Sequence, residues 1–139
     1  MSFREMSTWV LLAVTVIVYG LYFNITIGDA LANGVPEVAD NVRLFGAVVL
    51  MVILTIVAHI VMAVLSPKGS EEADERDKLI ELRGDQRGGF VMAVALFSTL
   101  GLALAGASVF WIAHVALAGL VASEIVKALT KLIDYRRGV

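Results

Sequence analysis

The sequence predicts an all-α membrane protein: four transmembrane helices, arranged as two hairpins joined by a charged cytoplasmic helix. Three observations carry this reading. The chain is 59% hydrophobic and only 17% charged over 139 residues, where soluble domains carry about 25% charged residues, and its mean hydropathy is +0.86. Its apolar residues gather in runs long enough for a bilayer core, which takes about 20 helical residues to cross. The long, strongly charged stretch Ser66–Gly89 separates the second run from the third. The expected organisation is a single integral membrane domain over residues 1–139.

The first span is read at about residues 7–27, which hold no ionised side chain. A secretory signal peptide competes for this run, because Arg4 precedes it and Ala30-Leu31-Ala32 imitates a small-x-small cleavage site, but the run is long for that role. Between Asn24 and Arg43, Gly28, Asn33, Gly34 and Pro36 interrupt regular structure beside acidic Asp29, Glu37 and Asp40, which predicts an exposed loop. The second span, about 44–65, is rich in Val and Ile, yet it is about three times the length of a typical strand, so a helix is favoured. Pro67 and Gly69 end it.

Inside the charged stretch, a linker helix is expected at about residues 70–84. Ser70 can cap it, acids crowd the half that the helix dipole favours, and Gly84 reads as its stop. Glu72 with Arg76 and Asp74 with Lys78 are acid-before-base pairs one turn apart. Leu79, Ile80 and Leu82 give the helix an apolar side for the membrane surface, the neighbouring helices or another protein. From Phe90 the apolar character runs too far for one crossing at about 1.5 Å per residue. A turn is therefore placed at Ala105–Ser108, between spans at about 90–106 and 109–130, with Phe110 and Trp111 as interfacial anchors.

Orientation follows from the cations. Lys68, Arg76, Lys78, Arg83 and Arg87 lie in the middle stretch and Lys131, Arg136 and Arg137 at the C-terminus, against Arg43 alone in the outer loops. The positive-inside bias then predicts an inner membrane protein with both termini cytoplasmic.

Several function classes are disfavoured. A net charge of −2 provides no basic face for nucleic acid, and the absence of cysteine excludes thiolate chemistry. No Gly-rich phosphate loop, nucleophile elbow or H-E-x-x-H motif occurs. The acids Glu71, Glu72, Asp74, Glu75 and Asp77 lack the spacing that wraps a loop round calcium. No enzyme, no cofactor and no metal are expected.

Ionisable groups inside a span are costly and need an explanation. Four are read there: His59, His114, Glu124 and Lys127. His59 and Glu124 each lie about 15 residues, about 22 Å, below the outer ends of their spans, so they are able to meet. His114 is placed near the outer headgroups, and the difference in depth argues against a bis-histidine haem. Lys127 either pairs with Glu124 or snorkels to the headgroups. Thr15, Tyr19 and Tyr22 form a stripe on span one, Thr55 and His59 are one turn apart on span two, and Ser98-Thr99 lie on span three. Together these predict a polar seam whose members satisfy one another. Small residues at four-residue spacing, such as Gly101 with Ala105 and Gly119 with Ser123, fit either close packing of the second hairpin or contact with a second copy.

At Asp74-Glu75-Arg76-Asp77-x-x-Ile80, and again at Tyr135-Arg136-Arg137-Gly138, the chain resembles a family of small uncharacterised prokaryotic four-span membrane proteins with a D-E-R-D linker and a Y-R-R-G tail. The resemblance covers the architecture of the whole chain and brings no activity. Some such proteins look like companions of small helix-turn-helix regulators, which implies a signalling partner.

The expected function is a non-enzymatic membrane binding, regulatory or scaffold protein. Asp74, Glu75, Arg76, Asp77 and Lys78, with Arg136 and Arg137, would be presented to a cytoplasmic or membrane partner. The alternative is a small ion or proton transporter or channel, a homo-oligomer using the seam around Glu124 and His59. Its expected partners are the lipid bilayer, a second copy of the chain and a protein, with no nucleic acid.

Overall fold

The structure, a computed structural model, describes residues 3–35, 41–65 and 75–137; the side chain of His59 lies outside the described set. Four helices hold nearly all of these residues: α1 (Phe3–Asn33), α2 (Asn41–Leu65), α3 (Glu75–Leu104) and α4 (Val109–Arg137). Three of them, α1, α3 and α4, are long and apolar enough to cross a membrane. In α2 the apolar stretch is shorter, Val42–Val57 among the described residues.

Helix α1 shows how a bilayer inverts the usual pattern. Ile17, Leu21 and Ile25 project outward, each 61% exposed, while Thr15, Tyr19 and Thr26 on the opposite face are buried. Lipid accepts the apolar stripe but offers no hydrogen bond to a hydroxyl, so the hydroxyls turn towards neighbouring helices. The helices pack in the order α2, α1, α4, α3, each chiefly against the next. Tyr19, Ala47, Leu117 and Val121 form the core that joins α1, α2 and α4.

Two glycines read as breaks lie inside helices. Gly28 does not end α1, which continues to Asn33 before Gly34 takes a positive φ of 88°. That extension carries Asp29 to Arg43, at 3.7 Å, and lets Asn33 donate to Asp29. The expected loop from Asn24 is accordingly much shorter. Nor does Gly84 stop a linker helix: α3 runs unbroken from Glu75 to Leu104, so the charged segment and the third span are one helix. Ser70 and Asp74, expected at the start of the linker, lie outside the described residues.

The reason is close approach. A Cβ at Gly84 would stand 2.8 Å from Lys131 Cγ and 3.2 Å from the Lys127 carbonyl, and one at Gly88 would stand 3.1 Å from the Ser123 carbonyl. At Gly119 it would overlap Ala95 Cβ. Missing side chains let α3 and α4 come together, and Ser123 donates across the seam to the Gly88 carbonyl at 2.8 Å. The sequence left two uses open for the small residues of this hairpin, and Gly119 and Ser123 serve the packing of α3 on α4.

The turn between these helices is where it was expected. Gly106 adopts φ 71°, the amide of Ala107 donates to the Leu102 carbonyl and that of Gly106 to Ala103, and Ser108 accepts the first bond of α4. This Schellman arrangement needs a left-handed residue, which glycine supplies at least cost.

Candidate functional site

At the charged end, α3 and α4 are fastened by ion pairs. Lys127 Nζ lies 2.9 Å from Asp85 Oδ1, Lys131 Nζ lies 3.3 Å from Glu81 and 3.8 Å from Asp85, and Arg83 lies 3.8 Å from buried Asp134. Arg76 donates to the Tyr135 carbonyl at 3.2 Å, and Arg136 sits over the ring of Trp9, 5.6 Å from its centroid. Of the expected apolar side, Ile80 is buried, while Leu79 and Leu82 stay exposed. Glu75, Arg76, Lys78, Arg136 and Arg137 are exposed and Asp77 is half-buried.

Alongside this fastening, and lined in part by its Glu81, Lys127 and Lys131, an open cavity of about 690 Å³ lies among all four helices. Thr15 and Tyr19 of α1, Thr55 of α2, and Glu124 and Lys127 of α4 all line it. Its apolar wall comes from Leu11, Met51, Ile56, Met92 and Leu120. The opening exists because the row of helices does not close: α2 and α3 both reach the cavity, yet they make at most a marginal contact with each other. A second cavity of about 90 Å³ between α1 and α4 shares Thr15, Glu124 and Lys127.

Of the seam read from the sequence, the structure brings Thr15, Tyr19, Thr55 and Glu124 together at the cavity, His59 lies outside the described set, and Tyr22, Ser98 and Thr99 turn elsewhere. Ser98 and Thr99 bond to their own helix, at the carbonyls of Val94 and Ala95, and do not line the cavity. Tyr22 turns to His114, its hydroxyl 2.9 Å from Nε2.

His114 is buried between helices, 3% exposed. Its ring stacks on Phe110, with centroids 4.0 Å apart, and its Nδ1 is 2.7 Å from the Phe110 carbonyl. A carbonyl can only accept, so Nδ1 carries the proton and Nε2, in the neutral ring, accepts from Tyr22. With both nitrogens engaged, His114 is a structural link between α1 and α4. Among the described residues no three His, Cys, Asp or Glu side chains converge as a metal site would require.

The partner of Lys127 differs from the local reading. Glu124, one turn away, is within electrostatic reach of it, but the ammonium hydrogen-bonds Asp85 on α3. Glu124 itself makes no hydrogen bond or ion pair among the described residues. A signal for this arrangement was present in the sequence: Glu81 and Asp85 on one helix and Lys127 and Lys131 on another share a four-residue spacing and have opposite charge.

These features define an all-α, multi-pass membrane protein with an open, largely apolar cavity among its helices that carries a few polar groups. No protein-family model, curated protein or solved structure matches the chain.

Proposed function

We propose that the protein is a non-enzymatic membrane protein that acts by binding: a ligand in the cavity around Glu124, and a cytoplasmic or membrane partner at the charged end of α3. The observation that carries this reading is the cavity, which gathers Thr15, Tyr19, Thr55 and Glu124 from three helices. The unbroken α3 supports the second half, since one rigid helix runs from the exposed charges at Glu75, Arg76 and Lys78 to the cavity wall at Met92. The cation asymmetry supports a prokaryotic inner membrane with both termini and this end of α3 in the cytoplasm. The D-E-R-D and Y-R-R-G resemblance supports a signalling partner. A second copy would pack at Gly101 and Ala105, since a Cβ added at Gly101 meets no atom within 4 Å.

Native mass spectrometry of protein released from nanodiscs tests the cavity half. The expected result is a retained small molecule whose occupancy falls in Thr55→Trp, whose indole takes up part of the cavity. Identical spectra from the two proteins, with no retained mass, would refute it.

The alternative of a small proton or ion transporter has one observation in its favour: Glu124 lines both cavities. Under that reading Glu124→Gln abolishes a pH-driven flux into proteoliposomes. Under the binding reading the unaltered protein drives none.

A further inference from the structure

Resting on the binding reading, we propose that the cavity takes an amphipathic organic cation, an apolar body bearing one protonated amine, with Glu124 as its counter-ion. The first support is charge. Two carboxylates, Glu81 and Glu124, and two ammonium groups, Lys127 and Lys131, line the cavity, with Asp85 beside it on α3. Both ammonium groups are paired across the helix seam to Glu81 and Asp85. Glu124 is left as the carboxylate without a hydrogen bond or ion pair among the described residues. Glu124, exposed towards the open cavity, is therefore the lining carboxylate that a ligand ammonium would engage.

The second support is the lining. Thr15 and Tyr19 bring hydroxyl groups that accept from an ammonium N–H, and the Tyr19 ring adds a face that attracts a cation. Met51, Met92 and Leu120 supply polarisable, adaptable walls suited to an apolar body rather than to a hydrated metal ion. The volume, about 690 Å³, is within the range of small-molecule sites. An anion is disfavoured because Lys127 and Lys131 are already paired to Asp85 and Glu81, so a lipid phosphate would find no unpaired cation among the described residues lining the cavity.

Three probes with one apolar body separate charge from shape: 1-naphthylmethylamine, 1-naphthylmethanol and 1-naphthoate, each measured by equilibrium dialysis against protein in nanodiscs, with empty nanodiscs as reference. The unaltered protein is expected to bind the amine about ten-fold more tightly than the alcohol and the carboxylate least. Glu124→Gln should remove that preference, Glu124→Asp should keep most of it, and Leu120→Trp combined with Thr55→Trp, which crowds the cavity from α4 and α2, should weaken specific uptake of all three. Thermal denaturation confirms that each variant is folded. If amine and alcohol bind equally and the double Trp variant weakens both, the cavity binds ligands but the cationic specificity is refuted. If the folded double Trp variant takes up the amine as tightly as the unaltered protein, the site lies elsewhere and the inference fails. An amine-headgroup lipid that occupies the cavity in native spectra and is not displaced by the probe would also overturn it. If no probe binds and no mass is retained, the binding reading falls as well.

Discussion

Tyr22 and His114 show what a single polar pair does in a span. Each has a polar atom that lipid cannot satisfy, and placing them 2.9 Å apart on α1 and α4 ties the two helices where their hydroxyl and imidazole would otherwise be stranded. Hydrogen bonds between membrane helices are worth about 0.6 kcal/mol on average and up to about 1.7 kcal/mol. Tyr22→Phe should therefore cost about 1 kcal/mol, and His114→Leu more, because it also removes the bond to Phe110. Denaturation in mixed micelles checks this, and a double-mutant cycle should show coupling of at least about 0.5 kcal/mol; strict additivity would mean the bond contributes nothing. Glu124 belongs to the opposite class. With no partner of its own among the described residues, Glu124→Gln should leave stability within about 0.5 kcal/mol, as substitutions away from a network do. Lys127→Met removes the partner of Asp85 at 2.9 Å and should cost more than Glu124→Gln in the same assay, although much of the pair is solvent-exposed.

Among the helices, glycine has two different duties. Gly119 lies against Ala95 and Gly88 against the Ser123 carbonyl, whereas Gly101 faces open space. Gly119→Ala should destabilise by about 1–3 kcal/mol through overpacking. Gly101→Ala should be neutral or stabilising by up to about 1 kcal/mol, since it only removes the flexibility of a mid-helix glycine. If the thermal shifts of the two variants had the same sign and size, close α3–α4 packing would not be what holds the hairpin. The same contrast explains what could be read from the chain. The spans near α1, α2 and α4 were legible because length and hydropathy are properties of a segment by itself. The turn at Gly106 was legible because an apolar run too long for one crossing has to reverse, and glycine takes the left-handed conformation of that reversal at least cost. Gly84 was misread because a glycine that ends a helix and a glycine that admits a neighbouring helix look alike locally; only Lys131 and Lys127 on α4 distinguish them. Lys127 was read as pairing with Glu124 or snorkelling to the headgroups for the same reason, since spacing along one helix cannot reveal Asp85 on another. Thr15, Tyr19, Thr55 and Glu124 were found as a group because polar residues in an apolar span have little choice but to meet.

For the whole molecule, the arrangement makes a prediction about sidedness. The chain has no native cysteine, so a single Cys at exposed Leu82, near the charged end of α3, and another at exposed Asn33, at the far end of α1, report on opposite faces. In intact cells an impermeant maleimide should label Asn33→Cys and spare Leu82→Cys; the reverse pattern would invert the topology. The most direct test of binding at Glu124 is an experimental structure of the protein in lipid, determined with 1-naphthylmethylamine present. The predicted result is ligand density in the cavity between α2 and α3, with the amine within about 3.2 Å of a Glu124 carboxylate oxygen. A cavity closed by direct α2–α3 contact, or one filled by acyl chain with Glu124 paired to a protein cation instead, would contradict it.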